Sequence, residues 1–180
     1  MFAQRYIKSL NSTDLRDDAF HGATDALAAS ARADQGAGGM LGSLLCRVKY
    51  ADGIVHKDFE TGSANLAQLV REWTSVVTER GRSRGWVRAN TAWDMQAAIK
   101  LYERVALGSL AHWMDSRCQP CNGTGVQDEQ RACTCCTGSG RARIVAGRFE
   151  TDKIKDMVSE LEGIFQAHGA RAAALMRRVA

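Results

Sequence analysis

The sequence predicts a mainly α-helical chain with a small cysteine-built module set before its C-terminal helices. Three observations predict it. One proline stands among 180 residues rich in Ala, Leu, Arg and Glu, a bias toward helix. Apolar residues recur at three- and four-residue spacing through several long windows. Five of the six cysteines fall between Cys118 and Cys136, a clustering that core packing does not require. The composition, 45% hydrophobic and 24% charged, excludes a mostly disordered chain. No run approaches the ~18 consecutive apolar residues of a membrane-spanning helix. The segment Met1 to Tyr6 lacks the apolar stretch of a secretory signal, so a cytoplasmic protein with no membrane contact is expected.

A first helix is expected from an N-cap at Ser12 or Thr13, with Leu15, Ala19, Ala23, Ala26, Leu27 and Ser30 at helical spacing. It should end near Asp34, because Gln35-Gly36-Ala37-Gly38-Gly39 breaks helices and forms a hinge. Residues 40 to 60 are less regular. Met40, Leu41, Leu44, Leu45 and Val48 read as one or two helical turns carrying Cys46 as a small core residue, and Tyr50 to Val55 as a turn. Leu66, Leu69, Val70, Trp73, Val76 and Val77 then form an amphipathic stripe that stops at Gly81. The loop from Arg80 to Arg88 carries four arginines and no acid. The next helix starts at Asn90 or Thr91 and runs to about Asp115, with Met95, Ala98, Ile99, Tyr102, Val105, Ala106, Leu110 and Trp113 as its core stripe. Beyond the cysteines, Arg141 to Ala146 reads as a short strand. A last helix covers Thr151 to Ala167 on Ile154, Met157, Val158, Leu161, Ile164 and Phe165; Gly169 breaks it, and residues 170 to 180 add a short basic helix.

The cysteine cluster contains an internal repeat. Cys118-Gln119-Pro120-Cys121-Asn122-Gly123-Thr124-Gly125 and Cys133-Thr134-Cys135-Cys136-Thr137-Gly138-Ser139-Gly140 align position for position as CxxCxGxG. Two such knuckles, eleven residues apart, can fold back and present four thiolates as a tetrahedron, the closed geometry of structural zinc. The glycines let the backbone curl after each CxxC so that amides point at sulfur. Cys118, Cys121, Cys133 and Cys136 are therefore the expected ligands of one structural Zn²⁺. Cys135 falls outside the ligand set, although exchange between Cys135 and Cys136 stays open. Disulfides are the competing account, and they leave the four repeat glycines without a purpose. Four protein ligands leave no open position for substrate, so the metal is structural and not catalytic. It should supply much of the stability of residues 117 to 141, which have almost no apolar side chains to bury.

The formal net charge is +4, compatible with a nucleic-acid partner but not diagnostic of one. Around the cysteines lie Arg117, Arg131, Arg141, Arg143 and Arg148, against Asp128 and Glu129. Such a ring more than offsets the −2 formal charge of a zinc tetrathiolate, and can meet phosphate or an acidic protein surface. Its competing account is a solvated rim that keeps a core-poor module soluble. Motifs for phosphate loops, serine hydrolases and metalloproteases are absent, and His21, His56, His112 and His168 are scattered along the chain. No catalytic residues and no small-molecule substrate are expected; the reading is a non-enzyme.

The CxxCxGxG pair resembles two families. DnaJ-type co-chaperones carry four such knuckles after a J-domain with a His-Pro-Asp signature; here there are two knuckles, and no His precedes a Pro. Bacteriophage antitermination proteins of the lambda Q type are the nearer likeness. The run Leu107 to Gly125 resembles that family's helix-into-knuckle junction, and Cys133 to Arg141 its second half, so the resemblance covers roughly residues 100 to 145. It implies a cytoplasmic protein of the bacterial host cell that regulates transcription. Such a protein binds DNA at the phage late promoter and engages host RNA polymerase paused with its sigma factor. The polymerase then reads through terminators. Zinc held by Cys118, Cys121, Cys133 and Cys136 would brace the DNA-contacting part, with nearby basic side chains reaching phosphates. The spacer between the knuckles is shorter than in longer members. A helix-turn-helix, if present, would use Thr151 to Ala167 and residues 170 to 180, with Gly169 near the turn.

The expected organisation is an N-terminal helix and Gly-rich hinge over 1–39, a helical region over 40–116, the zinc module over 117–141 and C-terminal helices over 142–180. The competing function is a zinc-braced, chaperone-like protein-interaction module without nucleic-acid binding.

Overall fold

The computed structural model describes residues 2–10, 24–34, 40–51, 61–88, 90–127 and 131–179. Helix accounts for 73% of the described residues, so the mainly helical expectation holds. The helices are α1 (Phe2–Leu10), α2 (Thr24–Ala33), α3 (Leu41–Ala51), α4 (Thr61–Ser83), α5 (Ala92–Met114) and α6 (Arg148–Val179). Between α5 and α6 lie a 3₁₀ turn (Gln119–Cys121) and the two-residue strands β1 (Val126–Gln127) and β2 (Arg131–Ala132). None of the described helices is long and apolar enough to cross a membrane. The chain divides into two compact units, Met1–Trp73 with Glu162–Ala180, and Thr74–Leu161; the division falls inside α4 and α6.

In the first unit, α1 is an element that the hydrophobic pattern does not single out. Its anchor is Tyr6, which is buried and stacks at 5.6 Å from Phe2 and 5.8 Å from Tyr50; Tyr50 in turn lies 5.8 Å from Phe165. Helix α2 ends before Asp34, as expected, and its small face packs closely: Ala26, Ala29 and Ala33 meet Ala172 and Met176 of α6. The expected start at Ser12 and the hinge at 35–39 lie outside the described residues. The one or two turns expected after Met40 are a full helix. Leu41, Leu44, Leu45 and Val48 are buried on its inner side, and Cys46 is a core residue whose thiol burial, with Asp34 nearby, pushes up to about 12. The turn expected from Tyr50 is corrected at its start, since Tyr50 and Ala51 complete α3.

In the second unit, α5 begins where the sequence places it. Thr91 is the N-cap, its hydroxyl accepting from the Asp94 amide at 3.1 Å while the Asp94 carboxylate accepts from the Thr91 amide at 3.0 Å. The buried face, however, is Ala98, Leu101, Tyr102, Val105, Ala106, Ser109, Leu110 and Trp113. Met95 and Ile99, expected in the core, are 56% and 46% exposed. The helix thus buries six of the eight expected positions and adds Leu101 and Ser109 in place of Met95 and Ile99, with close approaches at Gly81 and Gly108. A Cβ on Gly81 would stand 2.4 Å from the Tyr102 ring, and one on Gly108 2.9 Å from Ile154.

Two breaks read from glycine are corrected. Helix α4 passes Gly81 and ends at Ser83. Helix α6 passes Gly169 as one continuous element to Val179, so a turn there, and the helix-turn-helix built on it, are absent. Glycine inside a helix costs about 1 kcal/mol relative to alanine. Burying one large apolar side chain contributes ~1.5–3 kcal/mol, and beyond Gly169 the helix buries Ala172 and Met176. Continuation therefore wins.

The arginine-rich segment around Gly81 is tied to α6. Arg80 Nε donates to Glu160 at 2.7 Å, and Arg84 donates to Glu160 at 3.0 Å and to Asp156. Arg104 of α5 likewise grips Glu150, at 3.1 Å.

Candidate metal centre

Each knuckle folds by the same local rule. In the first, Cys118 enters the 3₁₀ turn, with Pro120 supplying a preset φ, and Asn122 closes it in the left-handed region at φ 52°. The Gly123 amide bonds the Cys118 carbonyl at 3.1 Å and the Thr124 amide bonds the Cys121 carbonyl at 3.0 Å. The second knuckle repeats this, with Thr137 at φ 52°, Gly138 bonded to Cys133 at 3.2 Å and Ser139 to Cys136 at 3.1 Å. Even the hydroxyls correspond: Thr124 and Ser139 each donate to the preceding cysteine carbonyl at 2.7 Å.

The two knuckles then interlock. The Cys118 amide donates to the Gly140 carbonyl at 2.9 Å, and the Cys133 amide to the Gly125 carbonyl at 2.8 Å. At the crossing only glycine fits, for two independent reasons. Gly125 and Gly140 have φ of +78° and +71°, and a Cβ on either would lie 2.3 Å from a backbone carbonyl oxygen, that of Gly138 or Gly123. The spacer between the knuckles, for which the sequence predicts no element, forms the antiparallel pair β1–β2, with Val126 opposite Ala132.

This framework brings Cys118, Cys121, Cys133 and Cys136 together, all buried, with their sulfurs within 4.8 Å of one another. The sulfurs of Cys118 and Cys133 are 3.9 Å apart and those of Cys121 and Cys136 3.7 Å. A disulfide requires about 2.05 Å, and all the cysteines are free. Four sulfurs at about 2.3 Å from a common centre form a tetrahedron with edges of about 3.8 Å, so the donor set fits a metal ion. Cys135 is exposed and stands outside the cluster.

Burial and local hydrogen bonds move two of the thiols in opposite directions. Burial opposes ionisation of Cys136, but the Gly140 amide 3.2 Å from its sulfur, and the neighbouring thiols, outweigh burial and bring it down to about 6. Burial and its hydrogen bond with Cys121 hold Cys118 neutral far above the usual thiol range. The Gly125 amide donates to Cys121 at 3.3 Å, mirroring Gly140. A metal ion held by these sulfurs would displace the thiol protons.

The module is fixed to the end of α5. Asp115 caps the helix, its amide bonding Ala111 at 3.0 Å, while its carboxylate accepts from the Arg117 amide and Nε at 3.0 and 3.1 Å. Hydrogen bonding to Arg117 holds Asp115 below the usual carboxylate range. Arg117 pairs in an isolated bridge with Arg141, and the Ala142 amide reaches the Ser116 carbonyl at 2.8 Å. Residues 142–145 are irregular, so the short strand expected over Arg141 to Ala146 is corrected to that single bridge; among the described residues, Val145 and its neighbours find no strand to pair with.

Arg117, Arg131, Arg141, Arg143 and Arg148 are all exposed. Arg117 and Arg141 share the bridge, Arg131 lies on β2, and Arg148 opens α6. Arg143 lines an open groove of about 460 Å³ with Leu107, His112, Ile144 and Ile154. Burial, and then the charge of Arg141, keep His112 below its ordinary pKa. Asp128 and Glu129 lie outside the described residues. Of the scattered histidines, His168 meets Ser30 and Asp34 in the core of the first unit, an approach that no local spacing announces. Comparison of the chain with protein-family models, with curated proteins and with solved structures yields no match.

Proposed function

We propose that this chain is a zinc-braced transcription antiterminator of the lambda Q type. In this reading it is a cytoplasmic, non-enzymatic protein of a phage-infected bacterium that binds late-promoter DNA and holds the paused host polymerase and its sigma factor in a read-through state. The observation that supports it is the joint placement of the interlocked thiol cluster and the exposed arginines at the end of α5. One Zn²⁺, bound by Cys118, Cys121, Cys133 and Cys136, would act as a closed structural cross-link between the knuckles. The chain's own residues do the rest. Asp115 and Arg117 orient the module on α5, and Arg117, Arg131, Arg141, Arg143 and Arg148 offer donors to phosphate oxygens. The backbone bonds that interlock the knuckles fix the main chain beside Arg117, Arg131 and Arg141, which limits the backbone entropy lost on binding.

The experiment is terminator read-through in vitro on a late-promoter template, with host polymerase and the purified protein, before and after zinc removal. Read-through that zinc removal abolishes supports the reading. No read-through with one zinc per chain and a verified template overturns it. The second reading, a protein-interaction module, draws on the exposed apolar side chains of Val126, Val145 and Phe149. Suppression of client aggregation without DNA binding at low salt would favour it.

A further inference from the structure

The core of the first unit holds a polar relay for which DNA binding has no use. His168 of α6 is fully buried, and its Nε2 lies 3.0 Å from the Ser30 hydroxyl of α2. Its Nδ1 lies 3.2 Å from Oδ1 of Asp34 but out of line, and has no hydrogen-bond partner among the described residues. Asp34 is engaged with α3 as well, accepting from the Ser43 amide at 3.2 Å. Gly42 of α3 lets the ring rest directly on the backbone, for a Cβ there would stand 2.5 Å from Nδ1. The imidazole is thus the point at which α2, α3 and α6 meet.

Ser30, His168 and Asp34 have the order of a nucleophile, base and acid. A hydrolytic role fails on access, because Ser30 is 2% exposed and no substrate reaches it. The setting suits instead a ring that is neutral when the helices are closed. A neutral imidazole needs one donor and one acceptor role filled, whereas an imidazolium needs two aligned acceptors. Only the Ser30 hydrogen bond is aligned, so Nδ1 lacks a partner among the described residues in either state, and the imidazolium would bury a charge in addition.

We propose that His168 is an acid-operated latch: neutral, it holds α2 and α3 against α6, and protonated, it releases them. The charged and titratable groups facing it come from each packed helix. Asp34 follows α2, and Arg171 of α6 donates to the Ala33 carbonyl at 3.2 Å. Cys46 of α3 lies beside Asp34 and Tyr6, and Tyr6 of α1 is bonded to Ser30. The buried α4 residues of this unit, Leu69 and Trp73, do not titrate. Burial lowers the His168 pKa most; Asp34 opposes that, and Arg171 adds to it. The closed unit then binds fewer protons than the open chain between its own pKa and the unperturbed value of about 6.5. Stability is complete above about pH 6.5 and falls as the pH drops below it, the opening constant rising by up to about tenfold per pH unit.

The test is an NMR titration of His168 in the full chain, together with amide exchange in α2 and α3 referenced at each pH to the His168→Gln protein. The expected titration point lies below 6.5, and wild-type protection, relative to the variant, falls by up to about tenfold per pH unit below that value. Asp34→Asn should move the titration point down further and Arg171→Gln should move it up. Titration at or above 6.5, or the same pH dependence in wild type and His168→Gln, overturns the latch. Should His168→Gln fail to fold, amide exchange in α2 and α3 of the two neighbour variants still decides: an onset of lost protection that moves with each variant's titration point supports the proposal, and an onset that does not move overturns it.

Discussion

The amide of Gly140 stands 3.2 Å from the sulfur of Cys136, and the amide of Gly125 stands 3.3 Å from that of Cys121. The last glycine of each repeat thus does two things at once. It donates to the cysteine sulfur of its own knuckle, and its missing side chain makes room for a carbonyl of the other. The chemistry of the cluster and the interlock of the knuckles rest on the same two positions.

Cysteine replacement should separate the cluster from its neighbour. Cys118→Ser or Cys136→Ser is expected to lower bound zinc from one per chain to a small fraction and to expose the 117–141 segment to protease. Cys135→Ser should leave both unchanged, since its side chain is exposed and outside the cluster. Metal analysis with limited proteolysis reads the difference; equal loss in all three would displace the ligand assignment.

Glycine replacement should give effects of opposite sign. Gly125→Ala and Gly140→Ala are expected to destabilise the module by at least ~2 kcal/mol, from left-handed strain and a carbonyl clash. Gly163→Ala, in the open interior of α6, should stabilise by ~0.5–1 kcal/mol. Denaturant melts followed in each region check both.

The start of α5 depends on its capping box. Thr91→Ala is expected to cost about 1 kcal/mol. Hydrogen bonds from Thr91, and then Asn90, hold Asp94 below the usual carboxylate range. A depressed acid contributes stability that is present above about pH 4 and lost as pH falls through its folded value. Asp94→Asn should remove that acid-side dependence, as acid titration of helical circular dichroism would record.

The clasp on Glu160 should be modest and salt-sensitive. Arg84→Ala is expected to cost ~0.2–1 kcal/mol, because the pair is partly exposed, at 39% and 18%. The loss should shrink at 1 M salt, where the Debye length is about 3 Å; a cost independent of salt would point to packing.

Arginine replacement tests the nucleic-acid reading. Arg141→Ala and Arg143→Ala should weaken binding to late-promoter DNA and lower the salt slope by about 1 for each phosphate no longer neutralised. Unaltered affinity, with helix content preserved, would remove these side chains from the interface.

Much of this protein is legible before folding. The periodic stripe around Trp73, the cap at Thr91 and the doubled CxxCxGxG are local signals, carried by residues within a few turns of one another. Helix capping and knuckle curvature are short-range events, which is why they can be read in order along the chain. What tertiary structure decided is how distant residues meet. Gly81 and Gly169 read as breaks, yet Tyr102 fills the space over the first, and Ala172 and Met176 anchor the helix beyond the second. Met95 and Ile99 read as core, but the face that α5 buries takes Leu101 and Ser109 instead. The segment from Arg80 to Arg88 reads as a basic loop with four arginines, and two of them, Arg80 and Arg84, are bound to α6. Ser30 and His168 meet across 138 residues, a distance at which composition and periodicity carry no signal. Local conformational preference is written in neighbouring residues; close packing and buried polar pairing are set by which surfaces meet when the chain closes.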